Sequence, residues 1–335
     1  MTTVNSPMHS SIASYKTLVM KIHQNSTESV KLLHLRLKQQ KRSNSINAVS
    51  TYNEYVRSLL SIHKENKEVI NWEVFLREPQ PKLPVKEMNK QFEAEYNYQT
   101  YEPTLLDYLT LQHKKKIREF LDKIELAKQE DDLIYNAAFK AYRSEAQDWK
   151  KIQVIARGVI EEDPLAYKSA IDLFEPFAAV SLFGSKTIGK FFSDHITVNL
   201  YVNANTVVPD YVLSISADHT LSAVKMSMPA YHQLLQNYIC GCALKIARES
   251  FALLPIGYMI VNVLLDLFNT TTGFAEAKVV LSARFEREQL DKLDFGTVDC
   301  PQLITNFIHR MEFTKNDGFV GIPAIVGEYD QGSPV

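Results

Sequence analysis

The chain has 335 residues, 45% of them hydrophobic and 23% charged, with a formal net charge of −2. This is the make-up of an ordinary globular protein with room for two domains or one large one. Three cysteines (Cys240, Cys242 and Cys300) exclude a disulfide framework and suit a reducing compartment, and no apolar run is long enough to cross a bilayer.

The charge is unevenly spread: residues 1–157 carry +6 and the remainder −8. All 11 glycines fall at Gly158 or later, and both tryptophans, Trp72 and Trp149, fall before it. These shifts predict a domain boundary near 158–185. The N-terminus lacks the charged-then-apolar pattern of a signal peptide, so a cytoplasmic protein without membrane contact is expected.

Residues 1–12 are polar and read as a flexible N-terminus. From Thr27 to Lys67 there is neither Gly nor Pro, and Ile46, Val49, Tyr52, Val56, Leu59 and Leu60 give a helical face. Ile70 to Phe75 is rich in large apolar groups, so Trp72 and Phe75 are expected to pin the connection that follows onto the helices. That connection, 78–84, is a Pro-rich, stiff linker. After Pro103 the chain again lacks Gly and Pro as far as Arg157. Leu106, Ile117, Phe120, Ile124, Ile134, Trp149 and Ile152 keep a near-heptad step, with polar lapses at His113, Asp131 and Glu145. Unbroken, this helix is on the order of 80 Å long; a bend near 129–132 is the alternative. The economical arrangement pairs 27–67 with 104–157 as a long antiparallel, coiled-coil-like helical arm over residues 13–180.

Residues 181–326 read as an α+β domain with a largely antiparallel sheet, followed by a flexible tail, 327–335. Strands are expected at 187–192, 195–203, 207–215 and 221–226. Ser227 and Pro229 then open a largely buried helix that Pro255 stops. The apolar run Ile256–Phe268, a turn at 269–273 and the alternating run Glu276–Phe285 form a hairpin. Its second strand sets Ala277, Val279, Leu281, Ala283 and Phe285 on one face and Glu276, Lys278, Val280, Ser282 and Arg284 on the other. Helices at 286–293 and 301–311 and a short strand at 319–326 complete the pattern.

Three groups of residues carry candidate chemistry. If residues 268 and 274 flank the turn, Asp266 sits opposite Glu276, with Asn262 and Lys278 on the same face. With Glu249 on the preceding helix, this set resembles the acidic–lysine constellation of the PD-(D/E)xK nuclease superfamily. The resemblance implies Mg²⁺ held by Asp266 and Glu276, and a lysine, Lys278, that positions water or stabilises charge. A proline before Asp266 is missing, and a solvated sheet face is the alternative. Second, Lys31, Arg36, Lys38, Lys41 and Arg42 form an acid-free basic run, interleaved with Leu32, Leu33, Leu35 and Leu37, that suits nucleic acid or an acidic partner. Third, Asp194-His195 and Asp218-His219 lie near strand ends and would make a metal site only by converging. No G-x-S-x-G, H-E-x-x-H, G-x-G-x-x-G or complete P-loop is present.

The segment Tyr238–Pro255 (YICGCALKIARESFALLP) and a final helix of the type Asn306–Phe313 (NFIHRMEF), after a charged helical half, resemble uncharacterised bacterial proteins. The resemblance implies a bacterial origin and no activity. The leading expectation is a cytoplasmic interaction or scaffold protein, without a cofactor, that presents its arm to a protein partner or a second copy. A Mg²⁺-dependent nuclease and a nucleic-acid-binding adaptor are the alternatives.

Overall fold

The computed structural model describes residues 45–64, 68–104, 107, 112–181, 185–216, 221–268 and 272–327. These residues form two compact units, one of residues 77–153 and the other of residues 45–76 with 154–327.

Helix α1 (Ser45–Leu60) buries Ala48, Tyr52, Tyr55 and Leu59, one stripe at helical spacing. The stripe was expected to face residues 104–157. It packs instead into the second unit's own core, where the Tyr52 hydroxyl donates to the Tyr211 carbonyl and the Tyr55 hydroxyl to that of Val207. In α2 (Trp72–Arg77), Trp72 is buried edge-on against Phe174 at 5.6 Å, the anchoring expected of it.

The first unit is built along one helix. Helix α3 (Asn89–Gln99) follows the Pro-rich stretch, and α4 (Gln112–Ile160) runs through 129–132 without a break. Residues 78–104 run antiparallel to α4. The Trp149 indole donates to the Glu78 carbonyl at 3.0 Å. Lys86 pairs with Asp132, Lys90 with Glu130, and Tyr101 packs on Phe120. Asp131, a lapse in the heptad pattern, accepts from the Lys90 and Gln91 amides at 3.3 and 2.9 Å. It therefore caps the first turn of α3 from outside, satisfying donors that the helix leaves open.

In the second unit, α5 (Pro164–Phe174) is capped by Asp163, which accepts from the Leu165 amide. Strands β1 (Lys186–Phe191) and β2 (His195–Tyr201) follow, then a turn of helix α6 (Ala204–Val207) and the hairpin β3 (Tyr211–Ile215) and β4 (Leu221–Lys225). The expected strand 207–215 is split at Pro209, which has no amide to give a ladder. Helix α7 (Met228–Leu253) leads to β5 (Tyr258–Phe268) and β6 (Ala275–Glu286). Short helices α8 (Arg287–Leu290) and α9 (Cys300–Ile304) precede β7 (Ile308–Arg310), β8 (Glu312–Thr314) and β9 (Gly318–Val320). The expected helices at 286–293 and 301–311 are thus shorter, and 306–313 is mostly strand. Ile308–Arg310 is taken up by the open edge of β6, where tertiary pairing overrides local preference.

The fold is α+β. Among the described residues the main sheet has the order β1-β2-β5-β6-β7, and it is mixed: β2–β5 is parallel, the other pairings antiparallel. Ile196, Val198 and Leu200 of β2 and Met259, Val261 and Val263 of β5 share one face and belong to the core that also holds α7. Burying each such side chain is worth roughly 1.5–3 kcal/mol. Even the polar side of α7 is enclosed, where Lys245 and Glu249 form a buried ion pair at 3.3 Å.

The end of α7 shows how this core is tied together. A helix leaves its last carbonyls without donors. In a continuing helix the donor to Phe251 would be Pro255, which has no N–H. Arg287 supplies it, donating also to the carbonyls of Leu254 and Ile256. The Ala252 carbonyl accepts from the Ile70 amide and that of Leu253 from the Trp72 indole. Two segments far apart in sequence, 70–72 and Arg287, thus close one helix end.

Candidate functional site

The strand register collects polar side chains on the sheet face turned away from α7. His195, Thr197 and Asn199 of β2 stand beside Tyr258, Ile260 and Asn262 of β5, followed by Glu286, Arg284 and Ser282 of β6. Polar groups on an open sheet face meet water; here His195, Thr197, Asn262 and Ser282 are buried. Ser282 donates to Asn262 Oδ1 at 2.6 Å, and the Asn262 amide donates to Asn199 Oδ1 at 2.9 Å, a ladder across three strands.

His195 is held on every side. The two-residue turn Ser193-Asp194 between β1 and β2 sets Asp194 Oδ1 2.7 Å from His195 Nδ1. The imidazole lies between Phe192 and Tyr258, with centroids 4.4 and 4.6 Å away and planes within 8°. The Arg284 guanidinium stacks on Tyr258 at 3.9 Å and pairs with Glu286. With Nδ1–H donated to the carboxylate, Nε2 of the neutral ring carries the lone pair and is the acceptor. Among the described residues Nε2 has no hydrogen-bond partner, and neither does the buried Thr197 hydroxyl.

The cover is the segment 321–327, which crosses the sheet from the β6 edge. The Ile322 amide donates to the Val279 carbonyl at 2.8 Å, and the Ile325 amide to Ser282 Oγ at 2.9 Å. Arg310 donates to the carbonyls of Pro323 and Ala324. Gly327 lies over His195, so close that a Cβ there would be 3.0 Å from Nε2.

The residues expected to form a nuclease centre are not brought together. Asp266 pairs with Ala277, Glu276 with Leu267 and Lys278 with Leu265, so Asp266 lies on the opposite face from the other two. The cause is a β-bulge: Val263 pairs with Leu281 and Leu264 with Val279, leaving Val280 extra. One residue of slip reverses the faces. Glu276 is instead the partner of Lys278, at 2.7 Å. Among the described residues no three His, Cys, Asp or Glu side chains gather as a metal site. Lys31, Arg36, Lys38, Lys41 and Arg42 lie outside the described residues, as does Asp218-His219. The sequence signals for the polar face were Asp194-His195 and the alternation of Thr197 and Asn199; nothing in them foretold a cover.

Two other places carry titratable groups. Cys300 Sγ lies 3.0 Å from His63 Nδ1 in the core. Burial pushes the Cys300 thiol up to about 12, and burial followed by the charges of Lys64 and Arg248 lowers His63 to about 4, so both are neutral. Beside them a cleft of about 500 Å³ is lined by Lys64, Arg248, Glu249, Arg287, Asp291 and Asp294, among others. Its cations are committed to the fold: Arg248 to the His63 carbonyl, Arg287 to the end of α7, Lys64 to the Gly296 carbonyl. Comparison with protein-family models, curated proteins and solved structures finds no match.

Proposed function

We propose that this chain is an interaction protein that pairs through its first unit with a second copy of itself, using no cofactor. The observation that supports this reading is an apolar row left exposed on α4. Leu126, Leu133 and Ile134 are 58%, 68% and 57% exposed. They stand seven and eight residues apart, on one side of the helix, with Glu130, the partner of Lys90, between them, and the row continues through the exposed Ala137, Ala138 and Ala141. Apolar side chains in a helical row suit another helix, and the alanines permit close approach. A second copy presents the same row at the same pitch. The flanks carry both signs, with Asp122 and Glu125 beside Lys123, Lys128, Lys140 and Arg143, so two copies meet without a block of like charge. No helix among the described residues is long and apolar enough to cross a membrane.

Light scattering across a concentration series tests the reading. A dimer is expected for the full chain, and a monomer with unchanged helix content for the double variant Leu126→Asp/Ile134→Asp. A monomeric wild type at all concentrations, or a dimer indifferent to these substitutions, would refute it.

A further inference from the structure

We infer that the polar sheet face around His195 is a groove for an extended peptide, now occupied by the chain's own segment 321–327. The inference is independent of the pairing of α4. The segment sits as a bound peptide does. Its backbone donates to the Val279 carbonyl and to Ser282 Oγ, and it offers two carbonyls to Arg310. None of these contacts reads a particular side chain, so a segment of different sequence could make them.

The fit is incomplete at one end. Gly327 covers His195 Nε2 yet gives it no partner, and the Thr197 hydroxyl beside it is buried and unpartnered too. A buried acceptor left open is a cost, one that the last carbonyls of α7 avoid. The imidazole is also fixed in place, its tautomer set by Asp194 and its plane by Phe192 and Tyr258. The groove therefore holds an oriented acceptor that its resident does not use, and Gly327 occupies the space where a donor would sit. The ligand class that follows is an extended peptide with small or aliphatic side chains and an N–H or O–H donor over His195. The resident segment holds its place because it is tethered, which gives it a high effective concentration.

The test uses the full chain and two acetylated, fluorescein-labelled peptides: one with the sequence of residues 321–327, and one with serine at its last position. In Ile322→Pro/Ile325→Pro both amide donors of the resident segment are removed. Gly327→Val disturbs only its end, against His195. Amide exchange over residues 318–327 should rise in the double variant, and the first peptide should bind it at least ~10-fold tighter than wild type, with a smaller gain for Gly327→Val. The serine peptide should bind about 3- to 10-fold tighter than the first, the range of one neutral hydrogen bond, and His195→Phe should abolish that difference alone. A segment that stays protected in both variants is a fixed part of the fold, and this would overturn the inference. So would released segments with no gain in peptide binding, or a serine effect that survives His195→Phe.

Discussion

Replacing Arg287 by methionine keeps an unbranched side chain and removes the guanidinium, leaving the carbonyls of Phe251, Leu254 and Ile256 without the donors they have now. A hydrogen bond to a charged group contributes about 1.5–3 kcal/mol. Three would sum to about 4.5–9 kcal/mol, but Arg287 lines the open cleft, so water will replace part of what is lost. The expected loss is about 3 kcal/mol, with about 1 kcal/mol recovered by Arg287→Lys, whose single ammonium cannot span the fork. The assay is urea unfolding of the full chain followed by the fluorescence of Trp72, which is buried beside the same helix end. The midpoint should fall at unchanged slope, as for a loss of stability without a change in exposed surface. A loss below about 1 kcal/mol, or equal losses for the methionine and lysine variants, would refute the argument that these carbonyls depend on Arg287.

Gly158→Ala should destabilise by about 1–2 kcal/mol despite the better helix propensity of alanine, because the new Cβ would lie 2.5 Å from the Ala166 Cβ; an unchanged or raised melting temperature would contradict this. Asp131→Ala removes the outside cap of α3 at about 1 kcal/mol, so amide exchange should accelerate several-fold across residues 89–99 and not in α7. Because burial holds His63 at about 4 in the folded chain, the unfolded chain binds its proton first, near 6.5. Stability should then fall as pH drops from about 6.5 towards 4, less steeply in His63→Gln; parallel wild-type and variant profiles would rule this out. Since Glu78 and Trp149 are hydrogen-bonded, replacing residues 79–148 by a short Gly/Ser linker should leave the second unit folded, as judged by a cooperative Trp72 transition.

Much of the fold is legible in the sequence because periodicity reports which side of an element is apolar. The limits of α7 follow from Ser227, Pro229 and Pro255, and β5 and β6 fall close to their expected bounds. Register is a different matter. The alternation from Glu276 to Phe285 contains one flaw, the consecutive apolar residues Val279, Val280 and Leu281. That flaw is the bulge, and it separates Asp266 from Glu276. The polar face of β2 was visible as Thr197 and Asn199, but its cover comes from residues more than a hundred positions later and shows no pattern of its own. A segment held by backbone donors, as 321–327 is, leaves little trace in side-chain chemistry.

The unit boundary is the most instructive difference. Glycine and charge both change near residue 158, which predicts one helical arm before it and one sheet domain after it. That change marks where strands begin; the second unit also holds 45–76 and 154–174, and among the described residues 77–153 form the other unit. The distinction was written in the tyrosines. A coiled-coil seam favours Leu, Ile and Val, since its interior offers a hydroxyl nothing to bond. Tyr52 and Tyr55 lie on the buried stripe of α1, where a partner helix would already have used its own carbonyls. A sheet edge and a helix end have carbonyls to spare, and the two hydroxyls reach Tyr211 at the start of β3 and Val207 at the end of α6. Ile70 and Trp72 make the same argument from the next segment, since their N–H groups complete α7. Buried polar atoms need partners, and the kind of partner they need identifies which unit a helix belongs to when its apolar stripe does not.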